Sequence, residues 1–297
     1  MIQLSIYNVP YKVTKCILLC EVIFMVRSLS SKEARLILQL EWDKQKYVTH
    51  KDIMAILKCN YGSARKIAYR LVSKRWLERI TAGKFLLVSA DRGVEKVAPD
   101  MNPYVIVKTL NEPYYFSYRI ASLHHGLTTQ MPRTIHIALL RQRPTIELKN
   151  IEFHFVKLLR YKFFGWEKVK IFEEEVNMTN LEKTVLDAID REELVGGIEE
   201  VVRIIWRASK RLDWKKIKEY LARTRSNALC RRFGFLLNLL DIKVTKDLER
   251  FLLKSAERNK IPLASPARWG KAGKLNAKWN LIINVPCQVL RDEIEIR

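Results

Sequence analysis

THKDIMAILKCNYGSARKIAYRLVSKRWLERITAGKFLLV, residues Thr49 to Val88, decides the fold. Residues 50–58 predict a short helix with Thr49 as its cap. Cys59-Asn60-Tyr61-Gly62 predicts a turn, and residues 63–76 predict a second helix. Residues 77–88 predict a hairpin that turns at 81–84. Helix, turn, helix and β-ribbon in this order is the layout of a winged helix-turn-helix. At about 100° per residue, Ala64, Ile67, Ala68, Leu71 and Val72 share one face of the second helix. Ser63, Arg65, Lys66, Tyr69, Arg70, Ser73 and Lys74 share the other. No acidic residue lies between Asp52 and Glu78, so this helix is expected to have no acidic partner of its own. A helix that is apolar behind and basic in front suits a major groove, where Arg and Lys meet phosphates and guanine edges. Lys66, Arg70 and Lys74 are the first candidates for DNA contact, then Arg65 and Tyr69, with Ser63 and Ser73 beside them. Arg79 and Lys84 on the hairpin are the expected wing contacts. A solvated amphipathic helix is the bland alternative, and the flanking turn and hairpin weigh against it.

Upstream, Ser30-Ser31 followed by Glu33 predicts a helix start. That helix is expected to run to about residue 44, burying Ala34, Ile37, Leu38, Leu40, Glu41 and Trp42. Val48 and Thr49 read as a short link. The winged domain is thus expected over residues 28–92. The apolar run CILLCEVIFMV at residues 16–26 is too short to span a bilayer, and no small-residue cleavage site follows it. Residues 1–27 are read as an extension that packs on the body, or as sequence preceding a start at Met25.

The chain has 297 residues, 48% of them hydrophobic. That suffices for about two domains with buried cores and excludes a disordered chain. Lys and Arg number 54 against 32 Asp and Glu, a net charge of +22 with a pI near 9.8. Such a balance calls for a polyanionic partner, nucleic acid first. No basic amphipathic helix with an anchor points to a membrane. The five cysteines, at 16, 20, 59, 230 and 287, show no zinc-site spacing, so no metal or cofactor is expected. Their use fits a reducing, cytoplasmic compartment.

Residues 93–102 are polar and read as a linker. The second domain is expected over residues 103–287, with a tail at 288–297. Strands are expected near 114–116, 134–140, 151–158, 169–176 and 278–285. Helices are expected over 117–126, 180–191, 196–206, 213–223, 227–240 and 244–259. The chain as a whole is therefore expected to be α/β (α+β), a winged helix followed by a mixed α/β domain.

Within residues 114–140, YYFSYRIASLHHGLTTQMPRTIHIALL, an aromatic pair Tyr115-Phe116 precedes His125-Gly126-Leu127, Gln130-Met131-Pro132 and the strand at 135–139. Phe164-Gly165, the run from Asn180 through Glu182-Lys183-Thr184 to Asp187, Gly196-Gly197, Arg231-Arg232-Phe233-Gly234 and Trp279-Asn280-Leu281 follow in order. This series resembles the AbiEi family, antitoxins and regulators of abortive-infection type IV toxin–antitoxin systems. The resemblance covers roughly residues 30–285. It implies a winged helix joined to an α/β antitoxin domain that represses its own operon by binding inverted repeats in double-stranded DNA. It also implies a nucleotidyltransferase-like toxin as functional partner, opposed without a stable complex.

Further basic residues lie at Arg203, Arg207, Lys210, Arg211, Lys215, Lys216 and Lys218, with Arg223, Arg225, Arg231 and Arg232 extending them. They read as a second DNA contact, a solvated helical surface, or a docking face for toxin or RNA. An RNA-binding module is accordingly a competing reading of the whole chain. Trp269-Gly270-Lys271-Ala272-Gly273-Lys274 lacks the hydroxyl residue of a phosphate loop, since Leu275 follows Lys274. Glu173, Glu174, Glu175, Asp187 and Asp190 raise the alternative of a metal-dependent nuclease. Lys168 and Lys170 precede the acidic run, the wrong order for such a site. No catalytic residue is therefore expected, and the chain is read as a regulator and not an enzyme.

Overall fold

The computed structural model describes residues 28–88, 104, 106–107, 110, 112–148, 150–171, 174–255 and 259–295. The chain divides into two compact units, Met1–Thr109 and Leu110–Arg297. The linker expected at 93–102 and the extension at 1–27 lie outside the described residues.

The first unit runs α1 (Ser31–Trp42), β1 (Tyr47–Thr49), α2 (His50–Leu57), α3 (Tyr61–Ser73), β2 (Leu77–Thr81) and β3 (Lys84–Leu87). Helix starts are set by side chains that satisfy free backbone amides. The Ser30 hydroxyl accepts from the Glu33 N–H while the Glu33 carboxylate accepts from the Ser30 N–H. Thr49 and Asp52 make the same reciprocal pair at α2, and Asn60 Oδ1 accepts from the Ser63 N–H at 2.9 Å at α3. That last cap starts α3 two residues earlier than expected. The expected link at Val48 and Thr49 is part of a strand, β1, which pairs antiparallel with β3. The sheet order is β1-β3-β2. Its core gathers Leu36, Leu40, Val48, Ile53, Ile67 and Leu71.

The buried stripe of α1 differs from the expected one. Leu36, Ile37 and Leu40 are inside, whereas Leu38 is 69% and Trp42 85% exposed. At about 100° per residue, Leu38 lies roughly 160° around the helix from both Leu36 and Leu40, so it cannot share their face.

The second unit is built on a six-stranded mixed sheet. Its strands are β4 (Tyr114–Phe116), β5 (Thr134–Leu139), β6 (Ile146–Leu148), β7 (Ile151–Lys157), β8 (Trp166–Ile171) and β9 (Glu174–Thr179). They lie in the order β6-β7-β5-β4-β9-β8. β5 pairs parallel with β7, and β4 parallel with β9 through Phe116 and Met178. The single strand expected at 169–176 is two strands that double back, with Ile171 opposite Glu174.

Helices α4 (Arg119–His124), α5 (Leu181–Asp190), α6 (Ile198–Ala208), α7 (Trp214–Thr224), α8 (Asn227–Leu239) and α9 (Lys246–Leu253) follow. Asn180, Asp213, Ser226 and Thr245 each accept backbone N–H groups at a helix start. A small sheet of β10 (Ile261–Pro262), β11 (Lys274–Asn276) and β12 (Leu281–Ile283), in the order β10-β12-β11, closes the unit together with α10 (Pro266–Trp269). The strand expected over 278–285 shrinks to β12 because Asn280 takes a left-handed backbone, φ 50°. The expected C-terminal tail is instead largely helical, α11 (Cys287–Glu295). Leu290 on α11 is fully buried, and Glu293 meets Arg203 of α6 at 3.3 Å.

One helical approach leaves no room for a side chain. A Cβ at Gly234 of α8 would lie 2.2 Å from the Trp279 ring. The indole N–H of Trp279 donates to Asn238 Oδ1 at 3.0 Å, which fixes the ring against that glycine.

Candidate nucleic-acid interface

α3 divides as its sequence period predicts. Ala64, Ile67, Ala68 and Leu71 are buried. Ser63, Arg65, Lys66, Tyr69, Arg70 and Ser73 are exposed, Tyr69 to 76%. Arg79 is exposed on β2, and Lys84 is half-buried where β3 begins.

The expectation that α3 lacks an acidic partner is overturned. Glu33 of α1, only 1% exposed, accepts from Arg70 Nε at 2.9 Å and from Lys74 Nζ at 2.7 Å. Burial pushes the Glu33 carboxyl up. The Lys74 ammonium and the Ser30 N–H and hydroxyl outweigh it and bring the carboxyl down to about 2. Two of the three leading candidates are thus tied to a carboxylate that also caps α1. Side chains that start one helix and anchor another cannot be found by scanning near α3, because 37 residues separate Glu33 from Arg70. Ser73 is also committed, its hydroxyl donating to the Arg70 carbonyl at 2.8 Å. Among the described residues Arg65, Lys66 and Arg79 have no acidic partner, and they remain the cations of this face able to meet a phosphate.

A residue that sequence reasoning missed sits among them. The His50 ring packs edge-on against Tyr61 at 5.2 Å and lies tilted against Phe85 at 5.3 Å. A Cβ at Gly83, at the hairpin tip with φ 73°, would come 3.3 Å from His50 Nδ1. Burial, then the Arg65 and Arg79 cations, hold the His50 imidazole below its usual range. His50 therefore props the hairpin tip against the start of α3, within the field of the Arg65 and Arg79 cations. The sequence signal was a histidine directly after a capping threonine, which reads as an ordinary first-turn residue.

The expected second basic surface is largely spent on the fold. Arg207 donates to the Leu127 carbonyl at 3.0 Å and Arg211 to the His125 carbonyl at 2.8 Å. Arg231 is buried and donates to the Asn259 carbonyl at 2.8 Å. Arg232 donates to the Pro262 carbonyl at 3.3 Å. These guanidiniums satisfy carbonyls at turns, bends and a strand end. Lys210 and Lys215 are exposed.

The carboxylates considered for a nuclease do not converge. Glu175 pairs with Lys168 across β8 and β9 at 2.7 Å. Asp190 pairs with Lys162 at 2.6 Å. Asp187 is buried, takes the Ser117 hydroxyl at 2.8 Å, and is paired with the buried Lys183. Glu174 is buried, and Glu173 lies outside the described residues. Among the described residues, no group of three His, Cys, Asp or Glu side chains is arranged to hold a metal ion. Nor is any helix among them long and apolar enough to cross a membrane. His125 Nε2 lies 2.7 Å from the Thr179 carbonyl, so that ring ties α4 to the end of β9.

No family model matches the sequence, and no curated protein matches it. Among solved structures, the crystal structure of the RV2827C protein from Mycobacterium tuberculosis is similar in fold, with a TM-score of 0.64 at 15% identity. The match covers 91% of this chain and 96% of that one. At this identity the likeness shows a shared mixed α/β architecture extending over both units.

Proposed function

We propose that this chain is a DNA-binding transcriptional regulator whose first unit is a winged helix-turn-helix. The observation that carries the reading is the exposed α3 face, on which Arg65, Lys66 and Tyr69 stand free of acidic partners among the described residues, with Arg79 on the adjoining hairpin. Free cations on an exposed helix can reach the floor and rim of a major groove. The net charge of +22 supplies the long-range attraction to a polyanion. The ordered motifs of the second unit, from Tyr115-Phe116 to Trp279-Asn280-Leu281, support the extension to an antitoxin of the AbiEi type. In that reading the protein works in the cytoplasm, binds inverted repeats upstream of its own operon, and opposes a nucleotidyltransferase-like toxin without a stable complex.

Titrating the full chain onto duplex DNA from upstream of its own gene tests the proposal. The Arg65→Ala/Lys66→Ala variant is expected to lose most of the affinity, with a shallower salt dependence. Operator affinity equal to that of the wild-type chain overturns the assignment of α3 as the recognition helix.

A further inference from the structure

On the second unit, two arginines at one helix end meet a third that lies about sixty residues earlier in the sequence. Arg160 opens the single-turn segment Arg160–Lys162 that follows β7. Arg223 lies in the last turn of α7, and Arg225 is its C-terminal cap. With Tyr161 and Ala222 they line a cleft of about 720 Å³. No acidic side chain among the described residues lines it. Among the described residues none of the three arginines has an acidic partner, unlike neighbouring Lys162, which is held by Asp190. They contrast with Arg207, Arg211, Arg231 and Arg232, whose guanidiniums serve backbone carbonyls.

The cleft is partly pre-ordered. The Arg223 guanidinium carbon lies over the Phe164 ring, 4.2 Å from its centre. Arg225 occupies a left-handed backbone position, φ 51°. Glycine fits such a cap with least strain, yet the chain places an arginine there. The Tyr161 ring is 42% exposed beside them. Guanidinium forks match phosphate oxygens in pairs, and an exposed aromatic ring accepts the face of a base. The volume falls within the range of sites for small ligands, roughly 300–1,000 Å³.

We propose that this cleft binds a nucleotide unit, with Arg160 and Arg225 on the phosphate and Tyr161 against the base. The unit can come from a free nucleotide or from a segment of a single strand. The proposal is independent of the α3 reading, because every lining residue belongs to the second unit.

Binding of adenosine monophosphate, inorganic phosphate and a short single-stranded oligonucleotide to the full chain tests it, by calorimetry and by anisotropy of the labelled strand. Arg160→Ala/Arg225→Ala is expected to lower affinity for the nucleotide and the strand about tenfold or more. Tyr161→Ala is expected to weaken both about fivefold or more while leaving inorganic phosphate unchanged. Arg160→Lys/Arg225→Lys keeps the charge without the forks and is expected to fall between wild type and the alanine pair. Its melting temperature shows whether the fold is intact. Displacement of the strand by adenosine monophosphate at equal affinity assigns the free nucleotide, and a strand that resists displacement assigns the polymer. Three results overturn the proposal: no binding of the nucleotide or of the strand by the wild-type chain, equal binding of these two probes by the alanine pair, or an equal loss on duplex operator DNA. Failure of operator binding with an intact response to the two probes would sink only the α3 assignment.

Discussion

Replacing Glu33 by Gln separates what this carboxylate does for the fold from what it does to the α3 face. The amide keeps the size of the side chain and an oxygen for the Ser30 N–H, and removes the charge that holds Arg70 and Lys74. A carboxyl held at about 2 instead of 4.5 corresponds to roughly 3 kcal/mol, at about 1.4 kcal/mol per tenfold change in proton affinity. Arg70 is 53% exposed and Lys74 25%, so water and salt screen part of that interaction, and about 1–2 kcal/mol is expected. The folded carboxyl lies below its unfolded value, so its contribution is present above pH 4.5 and is lost as pH falls toward 2. Hydrogen exchange of α1 and α3 amides in the full chain reads the effect locally. Glu33→Gln is expected to speed exchange about 5- to 30-fold at neutral pH, and the difference from wild type is expected to vanish as the pH approaches 2. DNA binding is expected to move the opposite way. Freed from Glu33, Arg70 and Lys74 become available to phosphates, and each new phosphate contact steepens the salt dependence by about 0.9 in log–log slope. Unchanged exchange together with an unchanged salt slope would refute both halves of this reasoning.

Other outcomes follow from geometry. Lys183→Ala is expected to cost about 3–5 kcal/mol in urea unfolding, because it strands the buried Asp187, while Lys183→Ala/Asp187→Ala costs less than the sum of the two single changes. Gly234→Ala is expected to destabilise by about 1–3 kcal/mol or more, since a methyl group there meets the Trp279 ring; thermal melts check it. Burial, then His154 and the Arg191 cation, lower the His136 imidazole to about 4. Stability should therefore be full above about pH 6.5 and fall, by at most roughly 3 kcal/mol, as the pH drops toward 4. Denaturant titrations across that window should lose this slope in His136→Phe. Ser73→Ala is expected to leave operator affinity unchanged in a gel-shift series, because its hydroxyl already serves the Arg70 carbonyl.

The parts of this molecule that obey local rules were legible in the sequence. Caps at Ser30 and Thr49, the apolar face of α3 and the turn at Ala82-Gly83 depend on residues within a few positions of one another. What escaped depends on distance along the chain. Glu33 reaches Arg70 and Lys74 across two intervening elements. Arg231 looks like surface charge by type, yet it is buried on carbonyls 28 and 49 residues away. The Arg160 cleft joins a turn after β7 to the end of α7, a neighbourhood that no periodicity records. The reverse error, an exposed Trp42 expected inside, comes from counting apolar residues without following their angle around α1.

The strand order of the large sheet has a consequence for biosynthesis. β4 pairs on one side with β5, which follows closely, but its other edge is completed only by β9, about sixty residues later. At a ribosomal pace of about 5–20 residues per second, that unfilled edge stays open for roughly 3–12 seconds on every nascent chain. For that interval the central strand offers its bare backbone to whatever passes, so chaperone demand during translation should track the delay before β9 emerges.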